Sequence, residues 1–261
     1  MDYPGKMITD QYPYRMLCGK RLQNAMSFTS TSMNGVPTTC FNDVVLVPIA
    51  SWVFLLMLLG LAAFAVVHSR RGNGKAGAKA PLHRLVYRKG REYGAGKWPG
   101  SWTKTATTFS IIYSLLVLAT LLMNILEIVR LYLADRGAGL LPFTLASLVF
   151  VLVLLHLPLP VTSAVRPALS LCILVFFVLS LIFTSVELAT LNMLQPIEPR
   201  ALTEYLDSDQ VLDVAVIVAL YAIEVLVEAH RFLLVLRDAR SPSDAYRDPE
   251  EVSHPIIDPK A

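Results

Sequence analysis

The stretch VVLVPIASWVFLLMLLGLAAFAVV, from Val44 to Val67, contains no charged residue and continues without interruption. A helix that crosses a bilayer needs about 20 predominantly apolar residues, because the hydrocarbon layer is about 30 Å thick. No water is available inside that layer, so the backbone polar groups of the segment must bond to one another, as they do in an α-helix. This stretch therefore predicts a transmembrane helix.

The composition of the whole chain agrees with that interpretation. Of its 261 residues, 54% are hydrophobic and 16% are charged, and the mean hydropathy is +0.53. Soluble domains carry about 25% charged residues, so this composition is typical of a membrane protein. The length allows four to six spanning helices and leaves no room for a sizeable soluble domain.

Five apolar segments can be drawn along the chain. They cover residues 44–67, 107–132, 140–159, 168–191 and 211–236. We therefore predict an all-α, polytopic membrane protein with a five-helix transmembrane domain at 44–236. The N-terminal segment 1–43 is polar and lacks the apolar core of a cleavable signal peptide, so we expect the first helix to act as the insertion signal. The tail 237–261 is rich in Pro, Ser and acids and is predicted to be a linker.

The loop 68–106 decides the predicted orientation. It holds ten of the 23 basic residues and one acid, Glu92. Such a stretch could bind nucleic acid, but between two apolar segments it fits better as a cytoplasmic loop under the positive-inside rule. Five crossings then place the N-terminus outside and the C-terminus in the cytoplasm. The acidic loop at 192–210 and the basic residues Arg231, Arg237 and Arg240 at the last helix fit this arrangement.

The second half of that loop predicts a contact with the membrane surface. Amphipathic Trp rings sit at the headgroup level, and basic side chains beside them attract anionic lipid. The residues concerned are Arg88, Lys89, Arg91, Lys97, Trp98 and Trp102. The alternative is an ordinary loop that happens to contain two tryptophans.

Two of the three cysteines lie in the segment predicted to be outside. An even pair in a non-cytosolic compartment favours a disulfide, here between Cys18 and Cys40. Two free thiols are the alternative. Cys172 lies within the fourth apolar segment and is interpreted as a small core residue.

Five acids fall within the predicted helices: Glu127, Glu187, Asp213, Glu224 and Glu228. A charge at the bilayer centre costs at least about 2.5 kcal/mol, so each must face protein, water or the interface. Glu127 can pair with Arg130 three residues on, and Glu224 and Glu228 share one helical face. A proton or cation relay could use these acids. We favour a stripe satisfied by Ser, Thr, Asn or Tyr of neighbouring helices.

Catalytic motifs are missing from the sequence. A P-loop requires G-x-x-x-x-G-K-[ST]. Gly72 and Gly77 have the spacing of its two glycines, but Ala78 stands where the lysine is required. The sequence GAGKW ends in Trp98, where Ser or Thr is required. No G-x-S-x-G, no H-E-x-x-H and no spaced His or Cys set for a metal is present. We expect neither an enzyme nor a bound cofactor or metal.

The start of the first helix resembles a specific family. A polar leader has two cysteines, the second in the context Thr39-Cys40-Phe41 and followed by VVLVP at residues 44–48. This arrangement is similar to the N-terminal accessory domain of long ABC exporters. That group includes the multidrug-resistance proteins, sulfonylurea receptors and yeast cadmium-factor-like vacuolar proteins. Half-transporters of the heavy-metal-tolerance type carry a similar five-helix domain.

The resemblance implies a role as well as a fold. In that family the two external cysteines are disulfide-bonded, and the domain serves assembly, targeting or partner binding at the vacuolar or plasma membrane. ATP hydrolysis and translocation belong to the transporter core, the expected protein partner. A small transporter or channel that uses Glu224 and Glu228 is the alternative function, and a membrane-embedded enzyme is a weaker one.

Overall fold

The computed structural model describes residues 17–19, 37–71, 101–134, 137–156, 165–194 and 207–240. Within these ranges the chain is helical and contains no strand. The predicted all-α class is therefore confirmed for the described part of the protein. The basic loop at 72–100, with Arg88, Lys89, Arg91, Lys97 and Trp98, lies outside the described residues, and so do 241–261. Trp102 belongs to a described helix, but its side chain is not described.

Each predicted apolar segment coincides with one helix. A short helix α1 (Thr39–Phe41) continues through a π-helical segment (Asn42–Leu46) into α2 (Val47–Arg71). The remaining helices are α3 (Ser101–Leu133), α4 (Leu141–His156), α5 (Val165–Leu194) and α6 (Asp207–Arg240). Helices α3 and α6 extend beyond the apolar segments because polar residues at their ends continue the helix.

Four of these helices are long and apolar enough to cross a membrane: Thr39–Val67, Thr108–Leu133, Val165–Met193 and Gln210–Arg237. The chain is thus an integral membrane protein by the length and composition of its helices. Helix α4 is apolar, but its 16 residues rise only about 24 Å. Its length alone does not establish the fifth crossing.

The first long helix starts with a local change of helical geometry. The Val47 N–H donates to the carbonyl of Asn42, five residues back, just before Pro48. Proline has no N–H to donate to the preceding turn, so a helix is commonly irregular there. At the very start, the Thr38 hydroxyl accepts a hydrogen bond from the Phe41 N–H at 3.3 Å and caps α1.

The apolar core forms where α5 packs between α2 and α6. Phe54 of α2 lies 4.9 Å from Phe176 of α5, measured between ring centroids, and Phe176 lies 5.4 Å from Phe177. The opposite faces of the long helices carry exposed apolar side chains, among them Leu56, Leu59, Leu226 and Leu233. Apolar outer faces are what a bundle in contact with lipid tails requires.

One end of the bundle is closed by a disulfide between Cys18 and Cys40, whose Cα atoms are 5.4 Å apart. We call the segments around it, 17–19, 38–43 and 137–140, the disulfide cap. The Gly139 N–H donates to the Leu17 carbonyl at 3.0 Å, and the Leu140 N–H donates to the Asp43 carbonyl at 3.1 Å. The connection between α3 and α4 thereby fastens the N-terminal segment to the start of the first helix.

Gly137 allows the connection between α3 and α4 to lie this close to the N-terminal segment. Its φ is +69°, and a Cβ there would lie 2.6 Å from the Leu17 carbonyl oxygen. We expect Gly137→Ala to lower the free energy of unfolding by about 2 kcal/mol, because it adds backbone strain and a clash. The measurement is thermal unfolding of the purified chain in detergent.

Gly60→Ala is the matched control for that prediction. Gly60 lies within α2, and no neighbouring segment is within 4 Å of a Cβ placed there. Alanine favours helix over glycine, so the control should retain or slightly increase stability. Equal midpoints for the two variants would contradict the described packing of the disulfide cap.

Candidate functional site

Polar side chains line the facing sides of α3 and α6 from one end of the bundle to the other. On α3, Tyr113, Thr120, Asn124 and Glu127 are buried and recur at intervals of three, four or seven residues. On α6 the buried polar residues include Asp213, Tyr221, Glu224, Glu228 and Arg231. Such intervals place side chains on one helical face. Together with Ser170 and Ser180 of α5, we call these residues the polar seam.

Glu228 is the most fully bonded member of the polar seam. The Tyr113 hydroxyl donates to its Oε2 at 2.8 Å, and the Ser170 hydroxyl donates to its Oε1 at 2.7 Å. Arg231, three residues on, donates from Nη1 to Oε2 at 3.3 Å. The side chain is completely buried. One carboxylate therefore joins helices α3, α5 and α6.

Glu224 lies one turn from Glu228, near the middle of the apolar part of α6. The Thr120 hydroxyl of α3 lies 2.7 Å from its Oε1 and donates to it. The second oxygen, Oε2, is buried and has no hydrogen-bond partner within the described part of the chain. An unsatisfied carboxylate oxygen in an apolar bundle is costly, which makes Glu224 a candidate functional group of the polar seam.

Tyr221 continues the polar seam toward the disulfide cap. Its polar and charged neighbours include Glu224 and Glu127, with Asn124 of α3 and Ser180 of α5. The Asn124 amide donates to the Thr120 carbonyl at 2.8 Å, which fixes its orientation along α3. The Tyr221 ring packs against Phe177 with centroids 6.4 Å apart, so aromatic and polar contacts meet at this level.

An ion pair closes the polar seam at the end nearest the cap. Arg130 of α3 and Asp213 of α6 form a salt bridge between the two helices. The sequence analysis did not predict this bridge between two helices, and its prediction that Glu127 can pair with Arg130 stays a prediction. Glu127 and Glu187 are both buried. All five acids singled out from the sequence therefore face the interior of the bundle.

The arrangement is suited to holding helices together. In a bilayer, interhelical hydrogen bonds and close packing drive association, because lipid tails remove the hydrophobic drive. The donors that reach Glu224 and Glu228 from other helices are Thr, Tyr and Ser side chains, the types favoured by the sequence analysis. Among the described residues, no cluster of three His, Cys, Asp or Glu side chains is positioned to hold a metal ion.

Sequence reasoning missed the partners of the acids. Tyr113, Thr120, Asn124, Ser170 and Tyr221 were not singled out, because hydroxyl and amide side chains are common in transmembrane helices. A signal was present nonetheless. The polar residues of α3 repeat at the spacing of those on α6, and matching these two stripes would have predicted that the helices face each other.

The motif of the first helix is placed at the disulfide cap. Thr39 and Cys40 are buried, Phe41 completes α1, and Pro48 is the second residue of α2. The Asn42 amide donates to the Thr190 hydroxyl of α5 at 3.1 Å. The motif thus connects the start of the first helix to the end of α5.

Searches against protein-family models, curated proteins and solved structures find no match to this chain.

Proposed function

We propose that this chain is a five-helix accessory membrane domain that resembles the front end of an ABC exporter. It serves assembly, targeting or partner binding for ATP-driven transport across the vacuolar or plasma membrane. The proposed partner is an ABC transporter core or another membrane protein. The resemblance rests on Thr39, Cys40, Phe41 and Pro48 with the Cys18–Cys40 disulfide, and on no catalytic residue of this chain.

The position of α4 supports a fifth crossing. The helix begins directly after the loop bound to the disulfide cap. At its other end, His156 Nε2 lies 3.3 Å from the Ser114 hydroxyl of α3. Nineteen residues separate Ser114 from the end of α3 at Leu133, a rise of about 28 Å. Helix α4 therefore runs beside α3 over nearly the thickness of a hydrocarbon layer.

The charge distribution supports the proposed orientation. The termini of the helices alternate between two ends of the bundle, with the disulfide cap at one end. The opposite end carries Arg166, Arg231 and Arg237 and leads into the basic loop. Under the positive-inside rule this end faces the cytoplasm and the disulfide faces the outside, where oxidation is favoured.

One observation carries the accessory role: Glu228 bonds to side chains of three helices. A carboxylate that exchanges ions or protons must be able to change its partners. One that receives three hydrogen bonds from its own bundle contributes to a fixed arrangement of helices. A rigid bundle with apolar outer faces is suited to lateral packing against another membrane protein.

A small transporter or channel is the second candidate, and Glu224 is the observation that favours it. Its Oε2 is buried and has no hydrogen-bond partner in the described ranges. Polar side chains flank it on both sides along α6. A proton could be taken up at such an oxygen and passed along the polar seam.

The two candidates predict different results for Glu224→Gln. If the accessory role is correct, vesicles with the wild-type chain and with this variant should show the same proton and cation flux as empty vesicles. The chain should co-purify with an ABC exporter core when the two are expressed together. Glutamine retains the hydrogen bond from Thr120, so the variant should co-purify equally well. Flux that disappears in Glu224→Gln would overturn the accessory role.

A further inference from the structure

Two arginines have buried guanidinium N–H groups without an acceptor. Nη2 of Arg231 on α6 and Nε of Arg166 on α5 are both inaccessible to solvent and have no hydrogen-bond partner in the described part of the protein. The Arg231 side chain is only 7% exposed. Because a buried donor without an acceptor costs free energy, such groups mark a place where an anion would be stabilised.

The packing of α5 on α6 places these two arginines at the same end of the polar seam. Ser170 contacts Glu228, while Ser180 is a neighbour of Tyr221, so the two helices run antiparallel. Arg166 precedes Ser170 by one turn, and Arg231 follows Glu228 by about one turn. Each arginine lies about 4 to 6 Å beyond the Ser170–Glu228 hydrogen bond in the same direction.

The Arg231 guanidinium is held in a fixed orientation. Its Nη1 donates to Glu228 Oε2 at 3.3 Å, and its Cζ lies 5.9 Å from the centroid of the Tyr113 ring. Glu228 accepts from Nη1 of Arg231, and no group in the described part of the protein accepts from Nη2. Nη2 of Arg231 and Nε of Arg166 are therefore donors from which a phosphate oxygen can accept.

We propose that Arg166 and Arg231 bind a phosphate group at the end of the bundle opposite the disulfide. Arginine matches phosphate oxygens geometrically and is less strongly hydrated than lysine, so it suits a partly buried site. The source is a phospholipid headgroup, because both arginines lie near the ends of helices that are long and apolar enough to cross a membrane, where headgroup phosphates are abundant. This inference rests on membrane insertion and not on the accessory role.

The test uses the full chain, purified and delipidated in a neutral detergent. Phosphatidylglycerol, diacylglycerol with the same acyl chains and inorganic phosphate are titrated separately while the thermal unfolding midpoint is recorded. We expect phosphatidylglycerol alone to raise the midpoint. Arg166→Gln should raise the half-maximal lipid concentration about tenfold, as expected for the loss of one charge-assisted hydrogen bond.

Arg237→Gln is the matched control, since Arg237 is an exposed arginine at the same end of α6. It should change the half-maximal concentration by less than about twofold. Without lipid, Arg166→Gln should unfold like the wild type, because Arg166 Nε has no partner to lose in the described structure. Equal lipid responses of the two variants would overturn the site. Equal stabilisation by inorganic phosphate would overturn a lipid as its source.

Discussion

Replacing Glu228 with alanine is expected to lower the free energy of unfolding by about 3 kcal/mol. The substitution leaves the Tyr113 hydroxyl, the Ser170 hydroxyl and the Arg231 guanidinium without the carboxylate that they share. A buried charge that loses its partner is far more costly than a missing surface contact, because no water can replace the carboxylate. Unfolding of the purified chain in mixed micelles of increasing sodium dodecyl sulfate measures the effect.

Leu226→Ala provides the comparison on the same helix. Leu226 is 71% exposed on the outer face, so its truncation should alter stability by less than about 0.5 kcal/mol. Glu228→Gln should fall between the two, because an amide oxygen still accepts from a hydroxyl but the charge that stabilises Arg231 is gone. If Glu228→Ala were no less stable than Leu226→Ala, Glu228 would not join the three helices as described.

Loss of the disulfide is expected to have the second largest effect. Cys18 and Cys40 are 22 residues apart, and closing a loop of that length stabilises the folded state by about 3 kcal/mol in the chain-entropy account. We expect Cys40→Ser to lower the unfolding midpoint of the oxidised protein accordingly. Thermal unfolding with and without reductant measures the contribution.

The cysteine variants are expected to share one pattern of unfolding stability and of response to reductant. Cys18→Ser, Cys40→Ser and the double variant should be equally destabilised, because each removes the same bond. None of them should respond further to reductant. Cys172→Ser should keep the response of the wild type, since Cys172 is a buried free thiol of α5. Additive losses in the double variant would show that the two cysteines act independently.

Hydropathy was sufficient to locate the helices. Each of the five apolar segments became one helix, because a run of about 20 apolar residues has few alternatives in a bilayer. The boundaries were less accurate where polar residues continue a helix, as at Ser101 in α3 and Arg240 in α6. The π-helical turn before Pro48 was not foreseen, although proline within a helix is a known cause of such irregularity.

The sequence did not predict how the helices are rotated relative to one another. The spacing along α3 suggested only a pair of Glu127 with Arg130 on one helix, and it gave no sign that Arg130 bridges to Asp213 on another. Which helix faces which depends on packing between distant segments. For this reason the burial of the acids could be argued from the cost of charge in lipid, but their partners on α3 and α5 could not.

The buried acids of the polar seam have a structural role, which is to fix how the helices pack. Apolar side chains alone can pack in many rotations, while hydrogen bonds across α3, α5 and α6 fix one register. Buried polar groups have this role in other helical assemblies, where they set pairing at some cost in stability. A fixed register would give an accessory domain a constant outer face for its partner.

The proposed topology has an odd number of membrane crossings, so the two ends of the chain lie in opposite compartments. It is tested by attaching different epitope tags to the two ends and adding protease to sealed microsomes whose cytoplasmic face is outward. We predict that the C-terminal tag is digested while the N-terminal tag is protected until detergent is added. Digestion or protection of both tags together would contradict the five-crossing topology, the outside disulfide and the proposed role.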